Sequence, residues 1–119
     1  MRLTQEHQEL EIPLNGITLL ANLTLPQSAK AIIVFVHGSG SSRLSSRNRY
    51  VATVLAKTGF ATLLMDLLTQ EEESIDNITA ELRFNIPFLT ERVLAVTHWL
   101  QENPATQKLH IAYFGASTG

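Results

Sequence analysis

The 119-residue sequence contains no cysteine, which excludes disulfides and thiolate metal sites. It also lacks a surplus of positive charge. Nine Lys and Arg stand against eleven Asp and Glu, for a net charge of −2 and a pI near 6.0. That balance offers no basic field to nucleic acid or to an anionic membrane surface. No apolar run approaches the roughly 20 residues of a membrane-crossing helix. Residues 1–20 show neither the basic start nor the apolar middle of a secretory signal. Internal repeats and low-complexity segments are missing too. The resulting expectation is a soluble, cytoplasmic chain forming one domain or part of one, with 45% hydrophobic residues enough for an ordinary core.

What the chain does have is a succession of strand-sized and helix-sized patterns. Residues 7–14 alternate polar and apolar, with Leu10, Ile12 and Leu14 on one face. This predicts a half-exposed strand, and Pro13 suits a sheet edge. Asn15-Gly16 is a strong hairpin-turn signal, so residues 17–25, ended by Pro26, should return antiparallel. Ala31 to Val36 is a continuous, largely β-branched run, the pattern of a strand buried on both faces. A Ser- and Arg-rich loop follows, then a helix over 48–58. Its apolar face reads as Tyr50, Val51, Val54 and Leu55, with Gly59 as the stop.

Residues 61–65 read as a second buried strand, closed by Asp66. Gln70 to Asn77 carries Glu71, Glu72, Glu73 and Asp76 and reads as a solvated, mobile excursion. From Asn85 to Glu102, Ile86, Leu89, Val93, Val96 and Leu100 recur at helical steps. Pro87 fits the first turn of that helix and Asn103-Pro104 its end. Ile111 to Phe114 reads as a final buried strand. Phe35, Phe60, Phe84, Phe88, Trp99, Tyr113 and Phe114 are expected in the core. A hairpin followed by β-α-β-α-β predicts an α/β fold: a mixed, mostly parallel sheet with helices on both faces.

The final strand runs into Gly115-Ala116-Ser117-Thr118-Gly119, which fits G-x-S-x-G. That pattern is a nucleophile elbow, a sharp strand-to-helix turn that lifts a serine hydroxyl off the end of a sheet. Ser117 is the candidate nucleophile, and Gly115 and Gly119 leave room for the turned backbone. A second signal, His37-Gly38-Ser39-Gly40, follows the strand at 31–36. Its glycines fit neither phosphate-loop pattern, G-x-G-x-x-G or G-x-x-x-x-G-K-[ST].

On the element order and these two motifs, the chain resembles the N-terminal half of an α/β-hydrolase of the dienelactone-hydrolase-like branch. The resemblance covers essentially all of residues 7–119. It implies a strand order of 1-2-4-3-5, with residues 1–119 as the N-terminal part of a single domain. It also implies a serine hydrolase for esters or related carbonyl compounds, working through an acyl-enzyme on Ser117 without metal or cofactor. A tetrahedral oxyanion needs two preorganised N–H donors. In this arrangement they are the backbone N–H groups of Thr118 and Ser39. Gly38 and Gly40 would let the loop approach the substrate. His37 is either a catalytic contact or, the favoured reading, a ring that supports the loop. Family order places the acid and the catalytic His beyond Gly119. Neither Asp66 nor any of His7, His37, His98 and His110 fills those roles. Lacking a base, the hydroxyl stays protonated, so residues 1–119 alone are expected to be inactive.

Arg43, Arg47 and Arg49 gather beside the expected pocket. Arg43 and Arg47 are candidates for gripping a substrate carboxylate; alternatively these arginines pair with Glu71 to Glu73 or Asp66. Two other functions stay open: a non-catalytic binding module of the same fold, and an acyltransferase. The expected partner is a small-molecule substrate, with neither nucleic acid nor membrane. An open sheet edge at 111–114 would favour self-association of residues 1–119 alone.

Overall fold

Asn15-Gly16 joins two ten-residue strands, as the turn signal predicts. β1 (Gln5–Leu14) and β2 (Ile17–Pro26) form an antiparallel ladder from Gln5↔Pro26 to Leu14↔Ile17. Gly16 has φ +75°, the left-handed conformation that a tight hairpin requires. The computed structural model describes residues 5–14, 16–36, 46–79, 81–82 and 85–115, with side chains from Gln8 onward. The hairpin is followed by β3 (Ala31–Val36), α1 (Ser46–Lys57), β4 (Ala61–Met65), α2 (Gln70–Thr79), α3 (Ile86–Glu102) and β5 (His110–Gly115).

The described strands make one five-stranded sheet in the order β1-β2-β4-β3-β5. β2 runs antiparallel to β4, whereas β3 runs parallel to both β4 and β5. Reversing the crossover direction at β4, with both crossovers right-handed, puts α1 and α3 on opposite faces. On one face Ile12, Leu19, Ile32, Val34, Leu63 and Met65 pack under Val96 and Leu100 of α3. On the other, Phe35 and Leu64 pack against Ala52 of α1. All five residues of β4 are buried, as a central strand between two helical layers must be.

Both α-helices flanking β4 end as their sequences predict. α1 closes with Gly59 at φ +102°. The N–H of Gly59 reaches the carbonyl of Ala56 at 3.0 Å and that of Phe60 reaches Leu55 at 3.1 Å, the paired bonds of a Schellman cap. A Cβ at Gly59 would meet nothing within 4 Å, so an alanine there suffers from backbone strain alone. Gly59→Ala is therefore expected to cost about 1–2 kcal/mol, read as a lower urea midpoint in the full-length protein. In α3, the Asn85 carboxamide oxygen accepts from the Phe88 N–H at 3.2 Å, Pro87 sits in the first turn, and Asn103 is the C-cap.

Five expectations are corrected. On α1, Val51 and Leu55 pack half-buried against the sheet as expected, but the buried residues are Asn48, Ala52 and Ala56, while Tyr50 is 70% exposed and Val54 43% exposed. Alanines let the helix lie close on Leu64 and Phe35, which a tyrosine on that face would prevent. Residues 70–77 are not an irregular excursion but most of α2, largely solvated as expected except at Asp76. The N–H of Thr69 donates to Glu72 Oε1 at 2.9 Å, and the N–H of Glu72 donates to Thr69 Oγ1 at 3.1 Å. This reciprocal capping box, with acids in the first turn, favours a helix start whatever the apolar content.

β5 is not buried. It lies at the sheet's margin, with Ala112, Tyr113 and Phe114 exposed and only Ile111 half-buried. Among the described aromatics Phe35 is fully buried and Trp99 packs half-buried against the main core, whereas Phe60, Tyr113 and Phe114 are exposed; Phe84 lies outside the described residues. Ile86, placed on the apolar stripe of α3 by its spacing, is 55% exposed because it stands on the first turn, at the end of that stripe.

Candidate active site

Parallel register decides which chain segments meet at the C-terminal edge of the sheet. β3 and β5 are paired from Ala31↔His110 to Val36↔Gly115, so the two strands end level. β4 is paired to β3 up to Phe35↔Leu64, which sets its last residue, Met65, beside Val36. Adjacent strands lie about 4.8 Å apart. The strand ends at Met65, Val36 and Gly115 therefore lie side by side, at the edge where open α/β sheets receive their ligands.

The end of β5 is anchored from both faces despite its exposure. On the α1 side, Phe114 meets Phe35 with ring centroids 5.0 Å apart and planes tilted by 47°. On the other side, the Tyr113 hydroxyl shares a 2.5 Å hydrogen bond with Thr97 Oγ1 of α3. Gly115, the last residue of β5, is thus presented at a fixed height. Ser117, Thr118 and Gly119 lie outside the described residues, as do His37, Gly38, Ser39, Gly40 and Arg43. Arg47 and Arg49 stand exposed on the first turn of α1.

Within the acidic run, Glu72 is held by an arginine of α3. Arg92 of α3 grips Glu72 with two bonds, Nη1 to Oε1 at 2.9 Å and Nη2 to Oε2 at 2.6 Å. Its Nη1 also donates to the Leu67 carbonyl at 2.8 Å, and its guanidinium lies 4.5 Å from the Phe88 ring centre. The Arg92 hydrogen bond holds the Glu72 carboxyl below its ordinary pKa of 4.5; burial opposes this, and the Thr69 N–H assists. A carboxylate with a depressed pKa stabilises the fold above its unfolded value and loses that contribution as pH falls through the folded one. Stability is thus expected to fall as the pH drops below about 4.5, and Glu72→Gln should flatten that limb. Urea midpoints measured between pH 7 and pH 3 for both proteins check this.

Sequence reading missed both the helix and its clasp. Thr69-x-x-Glu72 carried a helix-start signal, whereas nothing local pointed to Arg92, which is 20 residues further on. Asp76, counted among the solvated acids, is buried, and its Oδ1 accepts the Leu82 N–H at 2.7 Å. No helix among the described residues is long and apolar enough to cross a membrane.

Comparison with known proteins decides the fold. No protein-family model matches the chain. The structure superposes on a dienelactone hydrolase from Anabaena variabilis with a TM-score of 0.94 at 52% identity, over 98% of this chain and 54% of that one. The chain has the dienelactone-hydrolase-like α/β-hydrolase fold. The esterase Est1E from Butyrivibrio proteoclasticus shares the hydrolase fold at a TM-score of 0.73 and 20% identity, over 93% of this chain and 41% of that one. A Mycobacterium tuberculosis protein named "Putative phosphoribosyl transferase" is 49% identical over 113 residues, which are 94% of this chain and 24% of the relative. The chain thus spans about a quarter of that curated relative and about half of the Anabaena hydrolase. The observed strand order matches the one implied by the hydrolase resemblance.

Proposed function

We propose that this chain supplies the nucleophile and oxyanion loops of a serine hydrolase acting on carboxylic esters or related carbonyl compounds. The observation that carries this reading is the level parallel ending of β3 at Val36 and β5 at Gly115. Ser39 follows the first end by three residues, and Ser117 follows the second by two. Segments leaving neighbouring strands at one height can close on the same carbonyl, and the G-x-S-x-G turn is built to raise a hydroxyl there.

In the proposed mechanism, Ser117 Oγ bonds to the ester carbon while a base takes its proton. The carbonyl oxygen becomes an oxyanion held by the Thr118 and Ser39 N–H groups. Collapse of the intermediate breaks the ester C–O bond, and the alcohol leaves with the proton. Water then attacks the acyl-enzyme and releases the acid. His37 and the surrounding glycines shape the loop. The acid and the catalytic His come from chain following Gly119, so residues 1–119 alone are inactive. The esterase and hydrolase names of the structural neighbours support the reaction class. The transferase name belongs to a relative most of whose length lies outside the match, so it does not decide the chemistry of this segment.

Exposing the full-length protein to a fluorophosphonate probe tests the reading. Covalent labelling on the peptide containing Ser117 is expected. Intact, well-folded protein that takes no label would instead point to a non-catalytic module. Adding an alcohol acceptor separates hydrolysis from acyl transfer. For the substrate, Arg47 is proposed to favour a carboxylate-bearing ester. Arg47→Ala should lower the kcat/KM for an anionic ester about tenfold relative to a neutral one, as loss of one charge-assisted contact implies; an unchanged ratio removes the role. Tyr113 and Phe114 on the open β5 margin lead to one more proposal, that residues 1–119 alone self-associate. Sedimentation should then show mass rising with concentration, against a constant monomer mass if the margin is inert.

A further inference from the structure

We propose that Arg92 is a positioning residue for the site at the sheet edge, holding the Asp66–Thr69 turn beside the ends of β3 and β5. This inference rests on the serine-hydrolase reading above. The turn leaves β4 beside Val36 and one strand away from Gly115, so it forms a wall of the proposed site. It is pinned at successive residues. The Asp66 N–H donates to the Leu20 carbonyl at 2.9 Å, the Leu67 side chain is buried in the main core, and Thr69 is locked into the capping box with Glu72.

Arg92 closes this set from the neighbouring helix. One guanidinium nitrogen bridges the Leu67 backbone carbonyl and Glu72 Oε1, and a second takes Glu72 Oε2. A bond to a carbonyl fixes the plane of a peptide unit, which a pair between two side chains alone would not do. The arginine side chain is 11% exposed and its carboxylate partner 24%, so this pair is drier than an ordinary surface pair. Its value lies in geometry. The planar fork makes three bonds in fixed directions while stacking on Phe88, and a lysine ammonium at the end of a flexible stem cannot reproduce them. A wall displaced by about 1 Å can slow the chemistry on the order of 100-fold without touching the reacting atoms.

The test compares wild type, Arg92→Lys and Glu72→Gln in the full-length protein with a p-nitrophenyl ester. Arg92→Lys is expected to lower kcat about 10- to 100-fold, leave KM within roughly threefold, and slow fluorophosphonate labelling of Ser117 in parallel. Glu72→Gln, which keeps one acceptor, should fall between it and wild type. A kcat and labelling rate within about twofold of wild type, even with a lower unfolding midpoint, would reduce the pair to a structural brace and overturn the proposal. If Arg92→Lys does not fold, Glu72→Gln carries the same decision. If wild-type Ser117 takes no label, the hydrolase reading fails separately. Hydrogen exchange at the amides of residues 67–69 then decides whether Arg92 holds the turn: faster exchange in the variant supports it, and unchanged exchange overturns it.

Discussion

Replacing Ser117 by alanine in the full-length protein is expected to abolish ester hydrolysis, with kcat/KM falling about 10⁴-fold or more. Nothing in the described structure is expected to change with it, because Ser117 follows Gly115, the last residue of β5. The unfolding midpoint should therefore stay within experimental error of wild type. Some acceleration over water should survive, since donors for the oxyanion and the binding surface remain when a nucleophile is removed. Steady-state kinetics on a p-nitrophenyl ester, with circular dichroism as the control for folding, measures both parts. Retention of more than about a tenth of the wild-type rate would move the nucleophile elsewhere.

The second large effect is on stability and falls on Leu63. This residue is fully buried at the centre of β4, opposite Leu23 on one side and Val34 on the other. Leu63→Ala removes apolar surface and leaves a cavity between two strands that cannot close together without breaking register. A loss of about 3–5 kcal/mol is expected, a large share of the 5–15 kcal/mol that typically holds a domain. Tyr50→Ala on the outward face of α1 should cost under about 0.5 kcal/mol, although tyrosine is the bulkier side chain. Urea unfolding of both variants tests the burial pattern directly. Equal losses would mean that the α1 face assigned from the apolar spacing was the right one after all.

That contrast shows what the sequence made legible. Strands were readable because burial on both faces leaves an unbroken apolar run, as at 31–36 and 61–65, and their observed limits match the expected ones. Strand order came through the hydrolase resemblance, since periodicity reports a face and not a neighbour. The face of α1 was right at Val51 and Leu55 but misjudged at Tyr50 and Val54, because apolar bulk was counted, whereas close packing on the sheet selects Ala52 and Ala56. α2 was missed because composition outweighed the Thr69–Glu72 box. Arg92 could not have been found locally, as its partners lie 20 and 25 residues away in the chain. For the candidate site, the sequence supplied the residue types and the structure supplies the frame, with Val36 and Gly115 side by side.

The most direct measurement is a crystal structure of the full-length protein with a phosphonate bound to Ser117. The phosphoryl oxygen should sit within about 2.7–3.1 Å of two backbone nitrogens, those of Thr118 and Ser39. An adduct whose oxygen points into solvent, or whose second donor comes from a segment other than the one following Val36, would contradict the shared pocket at the ends of β3 and β5.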